Sequence, residues 1–143
     1  MFKLGIASTA IGVPLSFIFG DWTPLMGVLM VLTALDIITG IAKGFYDKGL
    51  RSRKMSQGMV RKGMIFVVII LANMIDVAMA STFNELPIAK MSAITFYLGM
   101  EGLSIVENLA QMNMPMPAFV KNYLLVLKEN GENVADKKTF GKK

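Results

Sequence analysis

No cysteine and no histidine occur among the 143 residues of this chain. The first absence removes any disulfide frame or thiolate metal site; the second removes the commonest metal ligand and the commonest general base near neutral pH. Charge is also scarce, with Asp, Glu, Lys and Arg at 17% against 54% hydrophobic residues and a mean hydropathy of +0.54. Soluble domains carry about a quarter charged residues, so the composition points to a small integral membrane protein poorly supplied for enzyme chemistry.

What is present is arranged in four apolar runs, which predict an all-α membrane protein with spans over residues 4–19, 22–42, 63–82 and 88–111. The first run is short and interrupted by Gly5, Gly12 and Pro14. Lys3 before it is compatible with a signal peptide, but no small-x-small cleavage pattern follows through Trp22, which favours a retained helix. Trp22 suits a membrane interface, and Pro24 fits the first turn of the second span. Between the second and third spans lies a basic loop, 43–62, with Lys43, Lys48, Arg51, Arg53, Lys54, Arg61 and Lys62 as candidate contacts for anionic lipid. After Asn113, which tolerates the left-handed conformation at a helix end, Pro115 and Pro117 open a new segment. Over 117–129, Val120, Tyr123, Leu124 and Leu127 recur at helical spacing, so 112–129 is expected to be an amphipathic helix on the membrane surface. Residues 130–143 read as a basic, disordered cytoplasmic tail.

Placing the basic loop in the cytoplasm puts both termini there too, and leaves Lys90 as the single outer cation of the 15 Lys and Arg. The net charge of +5 is therefore explained by orientation, with anionic lipid rather than nucleic acid as the counter-charge.

Against this apolar background stand carboxylates. One Asp near the middle of a span costs about 2.5–3.5 kcal/mol, enough to cancel most of the insertion energy of the third run, where Asn73 and Asp76 share one helix face. Asp36 lies about two turns from the inner end of its span, where Lys43 can answer it, and Glu107 is near enough to the same surface to meet cations of the loop or surface helix. Glu101 is deeper and must be protonated, paired or wet; with Ser104 and Asn108 it forms a polar ridge suited to helix association or to a hydrated lumen. Gly40 and Gly44 form a G-x-x-x-G that would allow close helix packing. The 13 Met residues read as flexible apolar filling rather than a metal array.

The stretch Glu101-Gly-Leu-Ser-Ile-Val-Glu-Asn108, followed by Pro115-Met-Pro117 and a basic amphipathic segment, resembles the carboxyl-terminal half of phage holins of the toxin-secretion and lysis type. Asp36-Ile-Ile-Thr-Gly40, Lys43-Gly44, Ser52, Gly58, Lys62 and a run ending in Asp76 look like the first half of the same family, so the resemblance covers about residues 25–129. Asn113 stands where a Gly is expected, and preserves the helix-ending conformation. The resemblance implies a multi-pass protein of the bacterial cytoplasmic membrane, with no catalytic residue or cofactor. Its partners would be the bilayer and further copies of itself, and it would open lesions through which an endolysin or toxin passes without stable direct binding. It carries over Asp36, Asp76, Glu101, Ser104, Glu107 and Asn108 only as packing or pore positions. Two other functions fit the residues alone: a four-helix proton-coupled transporter using Glu101 or Asp76, and a non-conducting membrane scaffold.

Overall fold

A computed structural model describes residues 15–47, 49, 52–83 and 88–139, and all four long elements are helices. They are α1 (Pro24–Tyr46), α2 (Ser52–Phe83), α3 (Ala89–Gln111) and α4 (Ala118–Thr139). A helical stretch at residues 15–19 precedes them; residues 4–14 of the first expected span lie outside the described residues.

Three helix boundaries have a local cause. Pro24 follows Thr23, whose hydroxyl accepts from the Met26 amide, so α1 starts on a side-chain cap and a residue pre-set for the first helical turn. Asn113 adopts φ +59°, and the amides of Asn113 and Met114 donate back to the carbonyls of Ala110 and Leu109. This is a Schellman ending with Asn where Gly is usual, as the sequence suggested. Gly20 closes the 15–19 stretch with φ +68°, and an added Cβ there would strike Asn73.

α3 is the centre of the assembly, packed on α1, α2 and α4, while α1 and α2 touch each other little. The core is one layer where three stripes meet: Met26 and Leu29 of α1, Ile65 and Ile69 of α2, Ile94 and Leu98 of α3, all buried. Each stripe follows the three- and four-residue steps that keep side chains on one helix face.

Among the described residues two helices are long and apolar enough to cross a bilayer, α1 and the Met55–Phe83 part of α2, with hydropathy 2.2 and 2.3. α3 is not among them; it carries Lys90, Glu101 and Glu107. The expected loop over 43–62 is much shorter here, because residues 43–46 finish α1 and 52–62 are the first turns of α2. At 1.5 Å per residue α2 is roughly 48 Å long, well beyond a hydrocarbon core of about 30 Å.

The carboxyl-terminal segment also differs from the expectation. α4 is continuous to Thr139, through residues expected to be a disordered tail, and folds back antiparallel along α3. Glycines make this possible. A Cβ at Gly99 would collide with the backbone of Leu124 and Lys128, one at Gly102 with the Leu124 side chain, and one at Gly131 with the backbone of Phe96. Lys128 places its ammonium 5.9 Å from the Phe96 ring centroid at the same seam. α4 is therefore fastened along α3 rather than standing apart from the other helices. Gly99→Val or Gly131→Val forces backbone apart and is expected to cost about 1–3 kcal/mol. Limited proteolysis of the purified chain in detergent checks this: cleavage within α4 should accelerate in both variants, whereas Gly63→Ala, with open space around it, should behave as wild type.

Candidate functional site

The three stripes that build the core turn polar at one end, and there they meet in a single cluster. Lys62 of α2 projects between α1 and α3 and donates to the Asp36 carboxylate; its ammonium also lies 2.7 and 2.6 Å from the two Glu101 oxygens. The side chains of Asp36 and Glu101 are 5% exposed and that of Lys62 18%, so the bridge is largely out of water. Asn108 completes it, donating to Asp36 at 2.8 Å and to the Thr39 hydroxyl at 3.2 Å, while Thr39 donates to the Asp36 carbonyl. One cation thus ties together three helices.

Pairing is therefore the option Glu101 takes. Asp36 takes Lys62 as its cation rather than Lys43, and Lys62 is turned inward rather than toward lipid. Glu107 is exposed. Ser104 lines a cavity of about 330 Å³ beside the bridge, as do Gly40 and Gly44, and a Cβ added at Gly40 would meet the Asn108 amide of α3 at 3.7 Å. Among the other loop cations, Arg53 and Arg61 are exposed and Lys43 is half-buried. Lys48 and Arg51, and the side chain of Lys54, lie outside the described residues.

At the opposite end of α2, Asn73 and Asp76 form a second junction. The Asp76 oxygens accept from the amides of Ala89 and Lys90, each at 2.8 Å, which caps a helix whose own N-cap residue, Ile88, supplies no side-chain bond. A carboxylate there also meets the positive end of the helix dipole. Asn73 donates to the carbonyls of Phe17 and Ile18, both at 3.0 Å, and so holds the end of the preceding helical stretch. Lys90 in turn donates to the Asp21 carbonyl at 2.7 Å. A single turn of α2 fastens two neighbouring segments.

Sequence reasoning missed Lys62 as the bridging cation and Gly99, Gly102 and Gly131 as the close-packing positions. The signal for Lys62 was available: Lys62, Ile65, Ile69, Asn73 and Asp76 follow one another at three- and four-residue steps, so the cation belongs to the core-facing stripe.

The fold and the site define a small all-helical protein in which two helices long and apolar enough to cross a bilayer are joined by a buried ion pair. The comparison with known sequences narrows this: the chain belongs to the bacteriophage holin family, whose model matches residues 14–129. It is similar to a "Probable holin" of Bacillus phage phi105, 37% identical over 122 residues that cover 85% of this chain and 87% of that protein. It is also similar to the uncharacterized protein YqxH of Bacillus subtilis strain 168, 37% identical with 85% of each chain covered. An uncharacterized protein of Clostridium perfringens strain 13 is 34% identical over 92% of this chain and 93% of its own length. No solved structure matches.

The bridge has an energetic signature. Removing one partner of a buried ion pair costs about 3–5 kcal/mol, whereas replacing all partners by uncharged groups of similar shape is often neutral or stabilising. Lys62→Met is therefore expected to lower the thermal stability of the detergent-solubilised chain strongly, and the combined Asp36→Asn, Lys62→Met, Glu101→Gln variant to recover most of it. Glu107→Gln, at an exposed position, is expected to change stability by no more than about 0.5 kcal/mol.

Proposed function

We propose that this protein is a holin in the strict sense: it accumulates in the bacterial cytoplasmic membrane, associates with copies of itself, and opens lesions through which an endolysin or a toxin leaves the cytoplasm. The observation that carries the reading is family membership across residues 14–129, together with two bilayer-length helices and a buried charge cluster between them. The protein acts by rearranging helices and has no enzymatic step.

The resting chain is closed. Lys62, Asp36, Glu101 and Asn108 satisfy one another, and the apolar layer of Met26, Leu29, Ile65, Ile69, Ile94 and Leu98 separates them from the junction at Asn73 and Asp76. A lesion wall needs polar surface, and these stripes are where the chain stores it. In the proposed mechanism self-association parts the stripes, so that the cluster is shared between copies or hydrated. α3 enters the bilayer as a further span because Glu101 and Lys90 are bonded to neighbouring segments rather than open to lipid, and the first apolar run supplies the fourth. The α1–α2 connection and both termini face the cytoplasm, where Arg53 and Arg61 meet anionic lipid.

A second reading, a proton-coupled transporter, draws on the two cavities of about 330 and 380 Å³ that approach the apolar layer from either end. The two are separated by expression in a bacterium with membrane potential and viability followed over time, with and without a co-expressed cytoplasmic endolysin. A holin is expected to collapse the potential abruptly and to lyse the cells only when the endolysin is present. Continued growth with full potential at high membrane abundance would overturn the reading, and substrate-dependent proton flux in liposomes abolished by Glu101→Gln would favour the transporter.

A further inference from the structure

The seam between α3 and α4 puts charge where a span would meet lipid. α4 lies antiparallel on α3, with Gly99 against the backbone of Leu124 and Lys128 and Gly131 against the backbone of Phe96. Gly99 stands at the middle of α3 (Ala89–Gln111), so Lys128 and Glu129 stand level with the middle of that helix. Glu129 and Glu132 are exposed, and Asp136, Lys137 and Lys138 follow them within α4. With α3 across a bilayer, the seam would carry these groups into the hydrocarbon core, where a charged side chain is costly without a partner or water. α4 is not among the helices apolar enough to span.

α4 is also the helix that can leave without stranding a buried charge. Lys62 and Asp76 tie α1, α2 and α3 together, whereas no ion pair among the described residues joins α4 to α3; the charged contact at the seam is Lys128 over the Phe96 ring. What α4 would leave behind is a helix face stripped to backbone. Gly99 and Gly102, with Leu103 and Val106 at further three- and four-residue steps, form a groove that already holds a helix at backbone contact. In a bilayer such small residues let helices approach closely, and packing of this kind selects partners. Glu101 and Asn108 point into the bridge on the other side of α3, so filling the groove leaves the bridge in place. Copies inserted with one topology are parallel, and a two-fold contact sets the same surface against itself.

We infer that the face of α3 bearing Gly99 and Gly102 is the surface on which a second copy of this chain pairs, α3 against α3, and that α4 covers this face until α3 enters the bilayer. The inference rests on the membrane placement under the proposed function and names the contact by which copies first associate. A chain outside the bilayer has the face covered by α4, and an inserted chain offers it to its neighbour.

The test uses the full chain in vesicles of phosphatidylethanolamine and phosphatidylglycerol, with insertion checked by resistance to alkaline extraction. Because the chain has no cysteine, introduced thiols report without background. Leu103→Cys, on the groove, should give a disulfide-linked dimer on mild oxidation, and Val67→Cys, exposed on α2, about tenfold less. Adding Gly99→Leu to Leu103→Cys should lower that dimer about tenfold, whereas adding Gly63→Leu, at a glycine of α2 with open space around it, should leave it unchanged. Spin labels at Met100 and Glu129, exposed residues adjoining Gly99 and Lys128, should be close in the detergent-solubilised chain and move apart in vesicles, with unlabelled chain added to dilute contacts between copies. An alkali-resistant chain with equal cross-linking from Leu103→Cys and Val67→Cys, or with a dimer that survives Gly99→Leu, would overturn the pairing surface alone. An unchanged spin-label distance in vesicles would overturn the release of α4, in favour of α4 crossing beside α3 with water at its charges. Extraction of the wild-type chain by alkali would instead overturn the membrane placement itself.

Discussion

One lysine sets the geometry of this protein. The Lys62 ammonium is held by Asp36 from α1 and Glu101 from α3, so at this end of the apolar layer the position of α2 against both neighbours is fixed by charge. In a bilayer apolar contact is a weak guide, because lipid tails are as apolar as Leu and Ile and do not favour one helix pairing over another. A desolvated cation between two carboxylates is different in kind. It tolerates few alternative arrangements, and Asn108 and Thr39 narrow them further by bonding to Asp36.

The second junction works by the same logic with fewer charges. Asp76 supplies α3 with the cap its own sequence lacks, and Asn73 takes the carbonyls at the end of the 15–19 stretch. Polar groups that look costly in a span become the fixtures of adjacent segments. Between the two junctions lies the apolar layer, and beside α3 lies α4, held by glycine contacts that carry no charge. The charged junctions thus tie α1, α2 and α3 to one another, and α4 is an addition to that frame.

Much of this was legible in the chain. The place of Pro24 in a first helical turn, the ending at Asn113, the shared face of Asn73 and Asp76 and the ridge of Glu101, Ser104 and Asn108 all follow from local rules of helix ends and helical spacing. The family resemblance read from residues 25–129 agrees with the match over 14–129. Partner choice was not legible. Asp36 has Lys43 two turns away on its own helix, yet bonds a lysine 26 residues distant, and Glu101 bonds the same lysine at a separation of 39. Nothing local distinguishes the two cations except the stripe they occupy. The packing of α4 was hidden for a related reason: Gly99, Gly102 and Gly131 acquire meaning only once the antiparallel register brings Phe96, Leu124 and Lys128 against them.

The central claim is that a single charge bridge, internal to one chain, defines the resting arrangement. A double-mutant cycle on thermal unfolding in detergent tests it most directly, comparing Lys62→Glu, Glu101→Lys and the two together. The account requires each single exchange to destabilise the chain strongly and the double exchange, which restores opposite charges across α2 and α3, to recover at least about 1 kcal/mol beyond additivity. Simple addition of the two losses would mean that Lys62 and Glu101 do not meet within the resting chain, and would contradict the account.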